Sequence, residues 1–511
     1  VVVIGGGISG LAAAWRISRP VDGRPAPEVL VLEGSPQVGG KLRLGSVGGL
    51  SVDVGAESVL ARRPEALALI DEAGLTEDVV HPQVAAASVL ARGQLHPLPA
   101  GTLMGVPAGP AAVPGLAGLL TPEELDRVGA EPSIAAPALD EDVDVASWVA
   151  GRMGRALVDR LVEPLLGGVY AGHTDQLSLQ ATVPALWQRA HQGGPLLAGT
   201  APARPALVVP NSSPETDAAP RTDPDSQLAT SGAATPGAAT PAPAGPVFAG
   251  LRGGVARLAS TLSDRLTADG VLVRTGVVVR GLRRTPTGWR LETGPASAPE
   301  WLDADAVILA VPPAAAARLL AADCPAAAAE LASIETASVA VVAAAIGREQ
   351  LAGVTGSGLL IPPGEGTTIK AATFSSAKWG WVSDEPRSGG QRAGELVVRL
   401  SLGRAGQELA LQRPDAELAA IAVDDLAKVL ATPLQPIDTT VTRWGGGLPQ
   451  YAVGHLDRVR RIRAAVAAAG GLAICGAALD GVGIAPCIAA ADRAVAALRS
   501  VDGGRAWTIE A

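Results

Sequence analysis

The chain has 511 residues and a formal net charge of −9, with 48% apolar side chains and only 3% aromatic ones. That length is expected to divide into two or three domains around a large buried core, and the acidic balance excludes a nucleic-acid binder that relies on a broad basic surface. Three cysteines without a CxxC pair and five histidines without ligand spacing exclude a disulfide scaffold and a metal centre, and fit a reducing, cytoplasmic compartment.

In chain order, Val1-Val2-Val3-Ile4 reads as a strand buried on both faces and not as a leader peptide; with no initiator Met, a few residues are expected to precede it. A turn at 5–10, an Ala-rich helix at 11–18, a loop at 20–27 and a strand at 29–32 make a βαβ opening with parallel strands. Gly5, Gly7 and Gly10 occupy the three places of G-x-G-x-x-G, with Gly6, Ile8 and Ser9 between them. Gly5 permits the tight turn, Gly7 lets the backbone approach a pyrophosphate, and Gly10 allows close helix–strand packing. The free N–H groups at the helix start favour the anion. Glu33, followed by Gly34, ends the second strand, where a carboxylate accepts bonds from ribose hydroxyls. A glycine turn alone is a weak signal; its place between strand and helix, answered by an acid, points to a dinucleotide.

Val38-Gly39-Gly40-Lys41 and Gly55-Ala56-Glu57-Ser58 come next. Many FAD proteins share this order, with a second glycine pair against the phosphates and a later turn beside the flavin; either segment alone reads equally as an ordinary β-turn. Residues 64–73 read as a helix closed by Gly74. The uncharged stretch 95–121 carries Pro97, Pro99, Pro107, Pro110 and Pro114, so it reads as a loop with apolar contacts, open to weak contact with a membrane surface, and not as a span. Residues 148–166 have a helical pattern. Residues 201–245 are rich in Ala, Pro, Thr and Ser without a hydrophobic period and read as a disordered insertion. Strands are expected at 271–273, 277–279, 306–311, 336–346, 396–400 and 472–475, then a glycine-rich turn and a helix at 487–498.

Further segments carry a resemblance: LVEPLLGGVYAGHTDQLSL at 161–179, the stretch 251–258, VILAVP at 307–312, the stretch 338–342, TFSSAKW at 373–379, PQYAVGH at 449–455 and GVGIAPCI at 481–488. With the glycine motifs, they make the chain similar to the protoporphyrinogen/coproporphyrinogen oxidases of haem synthesis, within the monoamine-oxidase-like flavoproteins. The likeness runs over nearly the whole chain outside the Pro/Ala-rich insertion. PxxxGxYAG and PQYxxGH are its most specific parts. Gln37 departs from it, since related flavoproteins often carry Arg there.

The resemblance implies an α/β fold: a discontinuous, Rossmann-like FAD-binding domain from 1–65, 246–315 and 440–511, and an α+β substrate domain that is helical over 66–200 and a sheet over 316–439. It implies that residues 5–10, Glu33, Gly34, Gly40 and Lys41 hold the ADP half of FAD. Gly55, Ala56, Glu57 and Ser58 would line the flavin, Val279 would meet adenine through a strand backbone, and Trp444, Gly483, Ile484 and Pro486 would lie at the isoalloxazine. The implied reaction is a six-electron oxidation of a porphyrinogen with O2 reduced to H2O2. Coproporphyrinogen III is the expected substrate and protoporphyrinogen IX the alternative. An amine or polyene oxidase of the same group, and a non-catalytic FAD-binding scaffold, stay open, as does handover to other haem-synthesis enzymes. No catalytic side chain is assigned, and His173 reads as a polar surface or capping residue. A tetra-anionic substrate needs local cations on an acidic chain. Arg62 and Arg63, just after the 55–58 turn, are the candidates; the competing reading is two solvated arginines at a helix start.

Overall fold

The computed structural model describes residues 1–21, 25–198, 246–384, 394–501 and 509–510. The insertion expected at 201–245 lies outside the described residues. The chain opens with β1 (Val2–Ile4), α1 (Ile8–Ile17) and β2 (Leu30–Leu32), followed by a hairpin of β3 (Leu44–Val47) and β4 (Leu50–Asp53). Next come α2 (Pro64–Glu72), a second hairpin of β5 (Ala87–Ala91) and β6 (Gln94–Pro97), and a run of short helices that includes α3 (Glu163–Tyr170) and ends at Gln192. After residue 246 the chain forms α4 (Arg257–Ala268), β7 (Leu272–Arg274), β8 (Val307–Leu309), β9 (Thr336–Gly347), β10 (Gly358–Leu360), β11 (Ile369–Phe374) and β12 (Glu395–Leu402). It closes with α5 (Asp415–Leu430), β13 (Pro436–Pro449), α6 (His455–Ala468), β14 (Leu472–Ile474) and α7 (Ile484–Val501).

Two sheets organise these elements. The first is parallel, in the order β7-β2-β1-β8-β14. Its central strands are uninterrupted apolar runs because helices cover both faces. Val1, Val3 and Ile308 pack with Leu11 of α1 and Ile488 of α7 on one side, while Val2, Ile4 and Leu309 pack with Trp289 and Ile462 of α6 on the other. The second sheet runs β13-β9-β12-β11-β10-β5-β6 and is antiparallel except where β10 meets β5. Ala340, Val342 and Leu400 on one of its faces bury against Leu418 and Leu426 of α5. Among the described residues no helix is long and apolar enough to cross a membrane.

Several elements differ from expectation. The sheet boundary expected at 439 falls inside β13, which stays paired with β9 as far as Pro449. That strand was illegible because it is an edge strand, polar and rich in Thr and Gly, and an edge needs no two-sided apolar run. The hairpin of β5 and β6 joins the second sheet although 66–200 was expected to be helical. Residues 277–279 form no strand, because Gly276 at φ +69° turns the chain after β7. The helix expected over 148–166 is interrupted at Gly154 (φ +94°). The last helix begins at Ile484, earlier than 487, since Pro486 in its first turn has no N–H to leave unpaired.

Candidate active site

The first glycine turn has different constraints at each position. At Gly5 (φ +108°) a Cβ would stand 2.4 Å from the Ala310 carbonyl oxygen, and at Gly10 one would stand 1.8 Å from that of Gly5. Both glycines are therefore fixed by the protein's own backbone. Gly7 differs: a Cβ there meets nothing within 4 Å, yet the residue directly precedes α1. The open space sits where unpaired N–H groups at the helix start attract an anion. Gly39 seals its side, donating to the Gly6 carbonyl at 2.8 Å, and Gly40 lies over Gly7, whose Cα would be 3.2 Å from a Cβ. Glu33 accepts from the Gly6 N–H at 2.6 Å and the Ser35 N–H at 2.7 Å, which orients its carboxylate at the end of β2. Gly34 is exposed beside the exposed Val278. Val279 is half-buried on the neighbouring core, in extended chain tied to Glu33 by the Val277 N–H at 2.9 Å.

The second turn meets the first at Lys41. The Ala56 N–H donates to the Lys41 carbonyl at 3.0 Å, and Gly55 passes so close that a Cβ would lie 1.9 Å from that oxygen. Trp444 closes this corner by donating from Nε1 to the Val54 carbonyl at 3.0 Å. The Lys41 ammonium is pushed down from its ordinary pKa by burial. Glu57 is gripped by Lys378 and Arg399, each ion-paired to one carboxylate oxygen. Burial opposes ionisation of Glu57, but the two cations outweigh it and hold the pKa at about 2. Arg399 also donates to the Gly55 carbonyl at 2.6 Å. Ser58 is half-buried in the same turn.

The third approach to this space is the turn before α7. Tyr451 donates to the Ala477 carbonyl at 2.5 Å, and His455 donates from Nε2 to that of Leu479 at 3.1 Å. Burial lowers the His455 pKa to about 4, so the ring is neutral at pH 7 and has one N–H, consistent with that bond. Asp480 pairs with Arg463 of α6 and Arg493 of α7, at 2.9 and 2.7 Å. Gly483 and Ile484 then start α7, with Pro486 buried in its first turn. The PQYAVGH segment therefore acts as a clamp on this loop.

Trp444 packs with Val339 on one face of the second sheet. Val341, Ser401, Ala371 and Leu360 stand opposite one another across β9, β12, β11 and β10. Ser401, Ala371 and Leu360 are half-buried although their strands are interior to the sheet, so this face borders open space. Gly168 and Val169 of α3 are both exposed, and a Cβ on Gly168 would lie 3.5 Å from Leu360. The space is thus walled by the sheet, α3 and Trp444.

Arg63 caps the start of α2 and pairs with Glu65 at 2.7 Å; Arg62 beside it is exposed. His173 is more than a capping residue. Its Nδ1 lies 3.1 Å from the Glu163 carboxylate and its Nε2 3.2 Å from the Ala405 carbonyl. The hydrogen bond to Glu163 raises its pKa, and the ring ties α3 to the segment after β12. Lys378, Arg399, Asp480 and Arg463 were missed in the sequence. Lys378 lies within TFSSAKW and Asp480 adjoins GVGIAPCI, but nothing local marks their partners.

The family model for flavin-containing amine oxidoreductases matches residues 8–499. The chain belongs to this family. Its cofactor is FAD and it is an FAD-dependent oxidase, and the space at Gly7 fits the pyrophosphate such a cofactor brings. This oxidoreductase is 36% identical over 503 residues to a coproporphyrinogen III oxidase of Mycobacterium leprae, covering 98% of each chain. It is 31% identical to a coproporphyrinogen III oxidase of Bacillus subtilis, covering 96% of this chain and 95% of that one. A solved structure from Exiguobacterium sp. 255-15 superposes with a TM-score of 0.79 at 28% identity, covering 98% of each chain.

Proposed function

We propose that this oxidoreductase converts coproporphyrinogen III to coproporphyrin III. FAD supplies a two-electron acceptor that passes electrons to O2, so six electrons leave the substrate in three rounds and three O2 become H2O2. The observation that carries this reading is the near-full-length similarity to coproporphyrinogen III oxidases of two distant bacteria. The half-open face of small and apolar side chains across β9 to β10 supports it, since a largely apolar macrocycle needs such a wall.

In this reading Gly7 and the start of α1 hold the pyrophosphate, Glu33 the ribose and Val279 the adenine. Gly40 and Lys41 complete the ADP half, and the 55–58 turn, Trp444, Gly483, Ile484 and Pro486 surround the ring system. The chain's own work is orientation: the Glu57–Lys378–Arg399 cluster fixes one side of the ring site, and the Tyr451–His455–Asp480 clamp fixes the other. Arg62 and Arg63 would meet carboxylates at the mouth. The test is anaerobic addition of coproporphyrinogen III to the yellow protein. Bleaching, with colour and H2O2 returning in air, is expected. A flavin that stays oxidised with the porphyrinogen but bleaches with an amine would overturn the substrate assignment.

A further inference from the structure

Lys370 has a placement that the reaction, as described so far, does not use. It is only 4% exposed. Among the described residues its hydrogen bond is a long one, 3.4 Å to the Gly167 carbonyl of α3, and no carboxylate pairs with it. That carbonyl is already taken by the Ala171 N–H at 2.9 Å. A buried ammonium with so little compensation is costly, and residues kept at such cost tend to mark binding sites.

The local backbone explains how it comes to be there. In the pairing of β11 with β12, Ile369 faces Leu402 but Ala371 faces Ser401, so Lys370 is the extra residue of a β-bulge. Ile369 and Ala372 go into the core against α5, and the bulge turns Lys370 toward α3 instead; bulges often re-aim a side chain in this way. Its neighbour Ala371 belongs to the half-open row described above, and Gly168 and Val169, the two residues of α3 after Gly167, are exposed. The ammonium therefore sits one step from the open space. Arg404, also buried, is next to it and donates to the Ile361 carbonyl at 2.9 Å; the Glu163 carboxylate acts on it at longer range, without a contact ion pair. Two buried cations without an ion-paired acid thus meet at the α3 end of the substrate wall. Burial, with Arg404 adding to it, brings Lys370 down to about 7, and an incoming carboxylate would relieve both causes.

We propose that Lys370, backed by Arg404, receives one propionate carboxylate of the substrate and is a specificity-determining residue. This inference rests on the porphyrinogen reading above. Lys370→Gln keeps a polar donor on a side chain one atom shorter but has no charge. Its KM for coproporphyrinogen III and its Kd for coproporphyrin III, read by porphyrin fluorescence, are expected to rise about tenfold, as loss of one charge-assisted contact predicts. The kcat and FAD content should stay near the parent values, because the contact is made equally in ground and transition states. Lys370→Arg should recover most of the affinity, and the tetramethyl ester should bind parent and variant alike. If Lys370→Gln folds poorly, Lys370→Met serves, since an apolar residue of similar length removes a buried charge. A Kd and KM within about twofold of the parent would overturn the proposal, as would an equal loss toward the ester. Failure of the parent itself to oxidise coproporphyrinogen III would refute the substrate reading and not this contact, which the Kd tests separately.

Discussion

Three glycines of one motif should respond differently to the same substitution, because different atoms constrain them. A methyl at Gly7 meets no protein atom within 4 Å, and the residue's φ of −71° and ψ of 176° suit any side chain. Reduced chain entropy in the unfolded state favours Gly7→Ala by ~0.4–1 kcal/mol, while alanine is a poorer residue than glycine before a helix by up to ~1 kcal/mol. The FAD-stripped protein should therefore keep its stability within ~1 kcal/mol. Affinity for FAD should not survive, because the methyl enters the space that the pyrophosphate needs. Displacing two charge-assisted N–H contacts of ~1.5–3 kcal/mol each weakens binding at least ~100-fold. Gly10→Ala is the control. Its methyl would lie 1.8 Å from the Gly5 oxygen, so the turn between β1 and α1 must open, at about 3 kcal/mol or more. Urea unfolding of the stripped proteins and FAD titration monitored by flavin fluorescence separate the two effects. Gly7→Ala that binds FAD within about threefold of the parent, or that loses as much stripped-protein stability as Gly10→Ala, would refute the reasoning.

Glu57→Gln leaves Lys378 and Arg399 without their shared carboxylate. The parent's pKa of about 2 against the ordinary 4.5 of a glutamate corresponds to ~3 kcal/mol. Because the folded pKa is depressed, that stability is fully present above pH 4.5 and lost as the pH falls toward 2. Urea unfolding should show the variant's deficit constant from pH 7 to 5 and shrinking below that; a deficit that grows on acidification contradicts the assignment. Asp480→Asn frees the loop before α7 from Arg463 and Arg493, and its Kd for FAD should rise about tenfold; an unchanged Kd would show that the clamp does not position the loop. Arg62→Ala should raise KM for coproporphyrinogen III more than for protoporphyrinogen IX with little change in kcat. Arg63→Ala should do the same and also release Glu65; identical KM values for both variants and the parent would remove the pair from the site.

The sequence by itself determined what short-range geometry dictates. An apolar run before Gly5, Gly7 and Gly10 and an acid at position 33 could be read without a fold, because a parallel βαβ unit and its anion site are built from neighbouring residues. Tertiary structure alone decided which distant groups meet. Glu57 finds Lys378 and Arg399 across 321 and 342 residues, Asp480 finds two arginines on separate helices, and Lys370 is turned toward α3 by a bulge that only the register of β11 and β12 creates. The edge strand β13 was invisible for a related reason: its residues are half-exposed on both faces, so no period marks them. Backbone preferences act over a few residues and leave a pattern in the sequence. An ion pair or a register shift depends on which chain segments fold against each other, and a single charged residue looks the same in sequence whether its partner is water or a buried carboxylate.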